Sequence, residues 1–204
     1  MGKKRAAAQT GGMTDEQELN VRRCYAASVQ VVDRWIGNIL DILEQRGLTQ
    51  NTVIMFCADH GELLAEHGLL EKKAMYEASV RIPLIISAPW MTQREDCDAL
   101  AQLMDLAPTC MELAGLPYDK QEMDARSLLA LLQGDTSKAA QPHEVQISEL
   151  LNSQMIFDGR YKWIRNWNDT DELYDLENDP CELTNIIAQH PEIPKALLQY
   201  TFRQ

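Results

Sequence analysis

The chain has 204 residues, 45% of them hydrophobic and 25% charged, which suits one soluble domain or one domain with a small appendage. Its formal net charge of −12 argues against a nucleic-acid partner, because backbone phosphates are bound by clustered Lys and Arg, and Lys3-Lys4-Arg5 is too short a cluster to reverse that. Five scattered cysteines, Cys24, Cys57, Cys97, Cys110 and Cys181, leave no CxxC metal knuckle and no complete disulfide framework, and no apolar run approaches the ~18 residues of a membrane span.

Residues 1–13 are small, basic and Gly-containing, and read as a flexible tail without the apolar core of a signal peptide. Thr14 with Gln17 is an N-cap with a capping box. Val21, Tyr25, Val29, Val32, Ile36, Ile39 and Leu43 then recur at steps of three and four. That spacing predicts an amphipathic helix of about thirty residues, ending at Gly47 and lying on one face of a sheet. Val53 to Ala58 is a continuous apolar run, as in a parallel-sheet strand covered on both faces. A second strand is predicted at Ile82–Ser87, with Pro83 near its beginning. Cys97–Leu113 reads as helical with a kink or break at Pro108, and Arg126–Gln133 as a short helical segment. After residue 142 the character changes to short strand signals at Val145–Ser148, Met155–Phe157, Tyr161–Arg165 and Leu173–Leu176. Asp158-Gly159 marks a hairpin, and a last helix follows Pro191. The predicted organisation is a tail at 1–13, an α/β part at 14–141 and a small α+β subdomain at 142–204.

The chemistry concentrates between the two apolar runs at Val53–Ala58 and Ile82–Ser87. Asp59-His60 follows directly on the first, at the strand end where α/β sheets bind ligands. A carboxylate beside an imidazole can hold a divalent cation, although two donors do not complete a site. The same dipeptide is also what a helix cap at Asp59 with an exposed His60 looks like. His67 and Lys72 lie in the same loop. A lysine and a histidine near a metal make a pocket for a tetrahedral oxyanion. Lys73 reads as a solvated neighbour, Glu62 and Glu66 as surface charges, and Tyr76-Glu77 as an anchor of the loop.

The string Ala58-Asp59-His60-Gly61-Glu62, Glu66-His67-Gly68-Leu69, Lys72, Met75-Tyr76-Glu77 and Val80-Arg81-Ile82-Pro83-Leu84-Ile85-Ile86 resembles a sulfatase of the alkaline phosphatase superfamily. So do Tyr25–Val29 with Asp33, Gly37 and Leu40, and Asp105-Leu106-Ala107-Pro108-Thr109 with Leu113-Ala114-Gly115. Asp158–Lys162 and Glu172–Leu176 with Asp179-Pro180, Glu182 and Asn185 resemble its last strands. The resemblance runs from about residue 20 to 200, its motifs in order.

It implies an α/β fold: part of an alkaline-phosphatase-like, mostly parallel sheet flanked by helices, plus a small C-terminal antiparallel sheet with a terminal helix. It implies hydrolysis of sulfuric esters, sulfated carbohydrates or aryl sulfates. Asp59 and His60 match metal ligands, Lys72 the sulfate-contacting lysine, and His67 a histidine near the substrate. Calcium is the expected ion. His60, standing where many members carry Asn, leaves manganese open.

The sequence departs from the family in lacking the C/S-x-P-S-R motif whose Cys or Ser becomes formylglycine, and the paired aspartates of the first strand. The chain therefore looks like the C-terminal part of a sulfatase, expected to be inactive alone. Exposed sheet edges make self-association an expectation. A phosphodiester or phosphonate monoester hydrolase of the same superfamily, and a non-catalytic scaffold of the same fold, are the alternatives.

Overall fold

The structure, a computed structural model, describes residues 8–9, 13–92, 95–135 and 137–201. These form two compact units. One holds residues 8–73 and 78–92, the other 74–77 and 95–201. Residues 1–7 and 10–12 of the expected tail lie outside the described residues. Among those described, no helix is long and apolar enough to cross a membrane.

The first unit opens with the short strand β1 (Ala8–Gln9) and the 31-residue helix α1 (Asp15–Gln45). Both ends of α1 are specified locally. The Thr14 hydroxyl accepts the Gln17 N–H at 3.3 Å, and Gln17 Oε1 accepts the Thr14 N–H at 2.8 Å. Asp15, Glu16 and Glu18 place negative charge on the first turn, where the helix dipole favours it. At the other end Gly47 takes φ +64°. The Leu48 N–H reaches the Leu43 carbonyl and the Gly47 N–H that of Glu44, the two bonds of a Schellman stop.

The apolar face of the helix is not buried as its pattern predicts. No residue of α1 is buried, and Val29, Val32, Trp35 and Ile39 are each half exposed or more. Size explains this. A helix of 31 residues is about 46 Å long, whereas the sheet in this unit is a pair of four-residue strands, each about 13 Å.

Those strands are β2 (Ile54–Cys57) and β4 (Leu84–Ser87), and they pair antiparallel, Ile54 opposite Ser87 and Cys57 opposite Leu84. Their faces are open, with Phe56 and Ile85 exposed. The apolar run is thus a strand, but not one covered on both sides. Pro83 immediately precedes β4, as predicted. Between them lie β3 (Leu69–Leu70), paired with β1, and the single turn α2 (Glu77–Val80).

In the second unit, residues 97–102 are not helical. A 3-10 turn at Leu103–Asp105 leads into α3 (Leu106–Leu113), so Pro108 sits in the first turn instead of kinking a longer helix. A first-turn residue needs no N–H donor, which is why the proline is accepted there. Buried Asp105 organises this region: its carboxylate accepts the N–H groups of Gln102 and Arg126 and lies 2.9 Å from His143 Nε2. A short α4 (Leu129–Leu132) follows.

Then β5 (Gln146–Leu150), β6 (Ser153–Phe157), β7 (Tyr161–Asn166) and β8 (Glu172–Asp175) form a four-stranded antiparallel meander. Gly159, at φ +99°, makes the β6–β7 turn that Asp158-Gly159 predicts. Val145, Ile156, Trp163 and Leu173 pack with Leu197 of the terminal helix α5 (Glu192–Leu197) to form a core.

Candidate active-site loop

The chain leaves β2 and reaches Asp59, whose side chain is 82% exposed, and His60, at 38%. No helix begins at Gly61, so Asp59 is not a helix cap. Instead its Oδ1 accepts the His60 N–H at 2.9 Å. The His60 ring is held from its other side. Nδ1 lies 2.8 Å from the Gly61 carbonyl oxygen, which can only accept, so Nδ1 carries the proton. When the ring is neutral its lone pair lies on Nε2, which stands 3.4 Å from Asp59 Oδ2. Two Lewis-basic atoms thus stand side by side at the end of a strand, close enough to share one cation. Nitrogen and carboxylate oxygen suit manganese and similar ions better than calcium, which prefers oxygen alone. Among the described residues no group of three or more His, Cys, Asp or Glu comes together as a metal site.

Gly61 is required for space. A Cβ there would lie 2.0 Å from the Ala78 carbonyl oxygen, and the Gly61 N–H donates to the Ser79 carbonyl at 2.7 Å. The loop that follows is closed by its own bonds. Leu63 N–H reaches Glu71 O and Ala65 N–H reaches Leu69 O, both at 2.8 Å, and Leu63 is fully buried. Glu62 is part of this frame, contrary to the expectation of a surface charge. Its Oε1 accepts the Glu71 N–H at 2.7 Å and the Leu64 N–H at 3.3 Å. Glu66 is exposed, as expected. Leu64, Ala65, His67 and Glu71 all adopt positive φ, between 47° and 74°. Such a concentration of non-glycine residues in the left-handed region is costly and gathers where a loop must present side chains in one arrangement. His67 lies on this stretch at φ 52°.

The loop ends at Lys72. Its carbonyl accepts the hydroxyl of buried Ser79 at 2.7 Å, while among the described residues no carboxylate pairs with its ammonium. Lys73 differs: its ammonium is 3.5 Å from Glu71. Of the two lysines, Lys72 is the one with no carboxylate partner among the described residues.

Tyr76 and Glu77 make polar bonds inside the second unit. Lys162 is fully buried and lies 2.6 Å from Glu77 and 2.8 Å from Glu182. Glu182 also accepts the Glu77 N–H. Burial outweighs the Lys162 charge and raises the Glu182 pKa. Tyr76 and Tyr174 both donate to Glu172. Burial first, and then that carboxylate, push both phenols well above the usual tyrosine range. Sequence reasoning missed Ser79, the Gly61 contact and Lys162. Ser79 falls in the gap between the motif segments Met75–Glu77 and Val80–Ile86, and a lone serine signals nothing by itself.

Residues 3–116 match the family profile described as Sulfatase, and residues 65–200 match N-sulphoglucosamine sulphohydrolase, C-terminal. The chain belongs to the sulfatase family. Arylsulfatase K of Bos taurus is 33% identical over 203 residues, covering 93% of this sulfatase-family chain and 37% of the relative. The chain therefore spans little more than a third of that relative's length. Among solved structures, BT4656 in complex with its substrate D-glucosamine-2-N,6-O-disulfate aligns with TM-score 0.73 at 30% identity, over 86% of this chain and 38% of that one. The phosphonate monoester hydrolase of Silicibacter pomeroyi aligns with TM-score 0.82 at 24% identity, over 92% and 42%, a likeness of fold. The α/β, alkaline-phosphatase-like class expected from the sequence is the class of these neighbours.

Proposed function

We propose that this chain carries the cation-holding and anion-gripping part of a sulfuric ester hydrolase site. Asp59 and His60 hold one divalent ion, calcium or manganese. Lys72 grips the sulfuryl oxygens, and His67 orients the ester or assists proton transfer. The observation that carries the reading is the His60 geometry: Nδ1 lies 2.8 Å from the Gly61 carbonyl, so that in the neutral ring the Nε2 lone pair stands 3.4 Å from Asp59 Oδ2. A bound cation would add Lewis-acid stabilisation of charge on the ester oxygens. Lys72 supports the same charge through an ammonium that pairs with no carboxylate among the described residues. The substrate bound to BT4656 favours sulfated carbohydrates as the ester class.

No Cys or Ser of this sequence stands in a C/S-x-P-S-R setting, so these residues lack the family's nucleophile. The 204 residues alone are expected to give no turnover of a chromogenic aryl sulfate. They are expected to bind manganese at His60, seen as selective broadening of its ring protons by NMR. Turnover by the purified chain would refute the first statement, and unaffected His60 signals the second. A phosphonate or phosphodiester preference is the second reading. It is favoured by the fold likeness to the Silicibacter enzyme and by the chemistry of an ammonium, which responds to anionic charge and not to the central atom. Competition between sulfate and methylphosphonate for the Lys72 signals separates the two.

A further inference from the structure

One buried side chain ties both ends of the candidate site together. Ser79 is 3% exposed. Its carbonyl accepts the Gly61 N–H at 2.7 Å, and its hydroxyl donates to the Lys72 carbonyl at 2.7 Å. Gly61 follows His60, and a Cβ on it would strike Ala78 O, so this approach is close and unadjustable. The loop between these ends does not need Ser79 to close. Leu63, Ala65 and the Glu62 carboxylate already pair with Glu71 and Leu69. What Ser79 adds lies just beyond those bonds, at the lysine with no carboxylate partner among the described residues.

We infer that Ser79 is a positioning residue of the anion site, fixing Lys72 relative to the Asp59–His60 pair. The inference rests on the site assignment proposed above. It has a built-in asymmetry. The bond to Gly61 uses the Ser79 backbone and survives any side-chain substitution, whereas the bond to Lys72 uses the hydroxyl. Removing the hydroxyl should loosen the lysine end and leave the metal end in place.

The test uses the isotope-labelled 204-residue chain as wild type, Ser79→Ala and Ser79→Thr, titrated with manganese and then with sodium sulfate. Manganese broadening of the His60 ring reports the metal end, and the sulfate-dependent shift of the Lys72 ε-methylene reports the lysine end. Ser79→Ala is expected to leave the manganese midpoint within about twofold and to weaken the sulfate midpoint by about three- to tenfold, the span of one net hydrogen bond. Ser79→Thr, which keeps the hydroxyl, is expected to restore it. An unchanged sulfate midpoint in Ser79→Ala overturns the inference and leaves the site assignment standing. An equal loss of both midpoints makes Ser79 a general fold residue and also overturns it. A wild-type chain in which neither ion moves His60 or Lys72 removes the site assignment, and the inference with it.

Discussion

Replacing Gly61 with alanine tests the packing on which the candidate site depends. The added Cβ would sit 2.0 Å from Ala78 O and 2.9 Å from Ala78 C, atoms that cannot swing away as a flexible side chain could. Reaching ordinary contact requires a displacement of about 1.4 Å, which would stretch the 2.7 Å Gly61–Ser79 hydrogen bond past its useful range. Overpacking of this kind costs about 1–3 kcal/mol, and loss of the net hydrogen bond about 0.5–1.5 kcal/mol. Gly61→Ala should therefore destabilise its unit by about 1.5–4.5 kcal/mol. Urea unfolding followed by the backbone amide NMR signals of this unit gives the number. Because the Gly61 carbonyl fixes the His60 tautomer, the ring nitrogen shifts should also move toward a mixture of tautomers. A change below about 0.5 kcal/mol, the scale of an ordinary surface substitution, with an unaltered His60 tautomer would refute the reasoning.

Lys162→Met removes the ammonium 2.6 Å from Glu77 and 2.8 Å from buried Glu182, and is expected to cost about 3–5 kcal/mol in urea unfolding of the second unit. Asp175, hydrogen-bonded by Arg160, has its pKa held down at about 2. Its stabilising effect is therefore complete above the unfolded value near ~3.9 and is lost as pH falls through about 2. Carboxyl-carbon NMR should show that low titration, and Arg160→Ala should return it to the ordinary range. For Glu182 the sign is opposite: burial raises its folded pKa, so its penalty is fully present above that pKa and disappears as pH falls below the unfolded value. Glu182→Gln should flatten the acid side of the stability profile. Thr14→Ala, which removes the N-cap, should cost α1 about 0.5–2 kcal/mol, read as faster hydrogen exchange over its first turns.

What the sequence made legible was chiefly what is encoded within a few residues. Thr14, Gln17 and Gly47 specify the two ends of α1 by contacts no farther than one helical turn, and Asp158-Gly159 specifies its hairpin in the same way. Asp59 beside His60 could be read as a donor pair because neighbours in sequence remain neighbours in space. Direction was not legible: an apolar run such as Val53–Ala58 has the same composition whether its partner runs parallel or, as here, antiparallel. Pro108 misled because a proline breaks a helix interior but fits a first turn, and only the true start of α3 decides between them. The left-handed conformations of Leu64, Ala65 and Glu71 carry no residue signal, since none is glycine or asparagine. Ser79, linked to Gly61 and Lys72, depends on the chain's path across intervening residues, which local pattern does not contain.

The uncovered apolar stripe of α1 has a consequence for how the protein behaves in concentrated solution. Val29, Val32, Trp35 and Ile39 are exposed on a molecule whose net charge is −12. Electrostatic repulsion between molecules acts over about 10 Å at 0.1 M salt and only about 3 Å at 1 M, while apolar attraction is strengthened by sulfate and phosphate. Dilute low-salt buffer therefore keeps the molecules apart, and ammonium sulfate brings the stripes together. Precipitation should begin at unusually low sulfate concentration, and Trp35→Ser should raise that threshold.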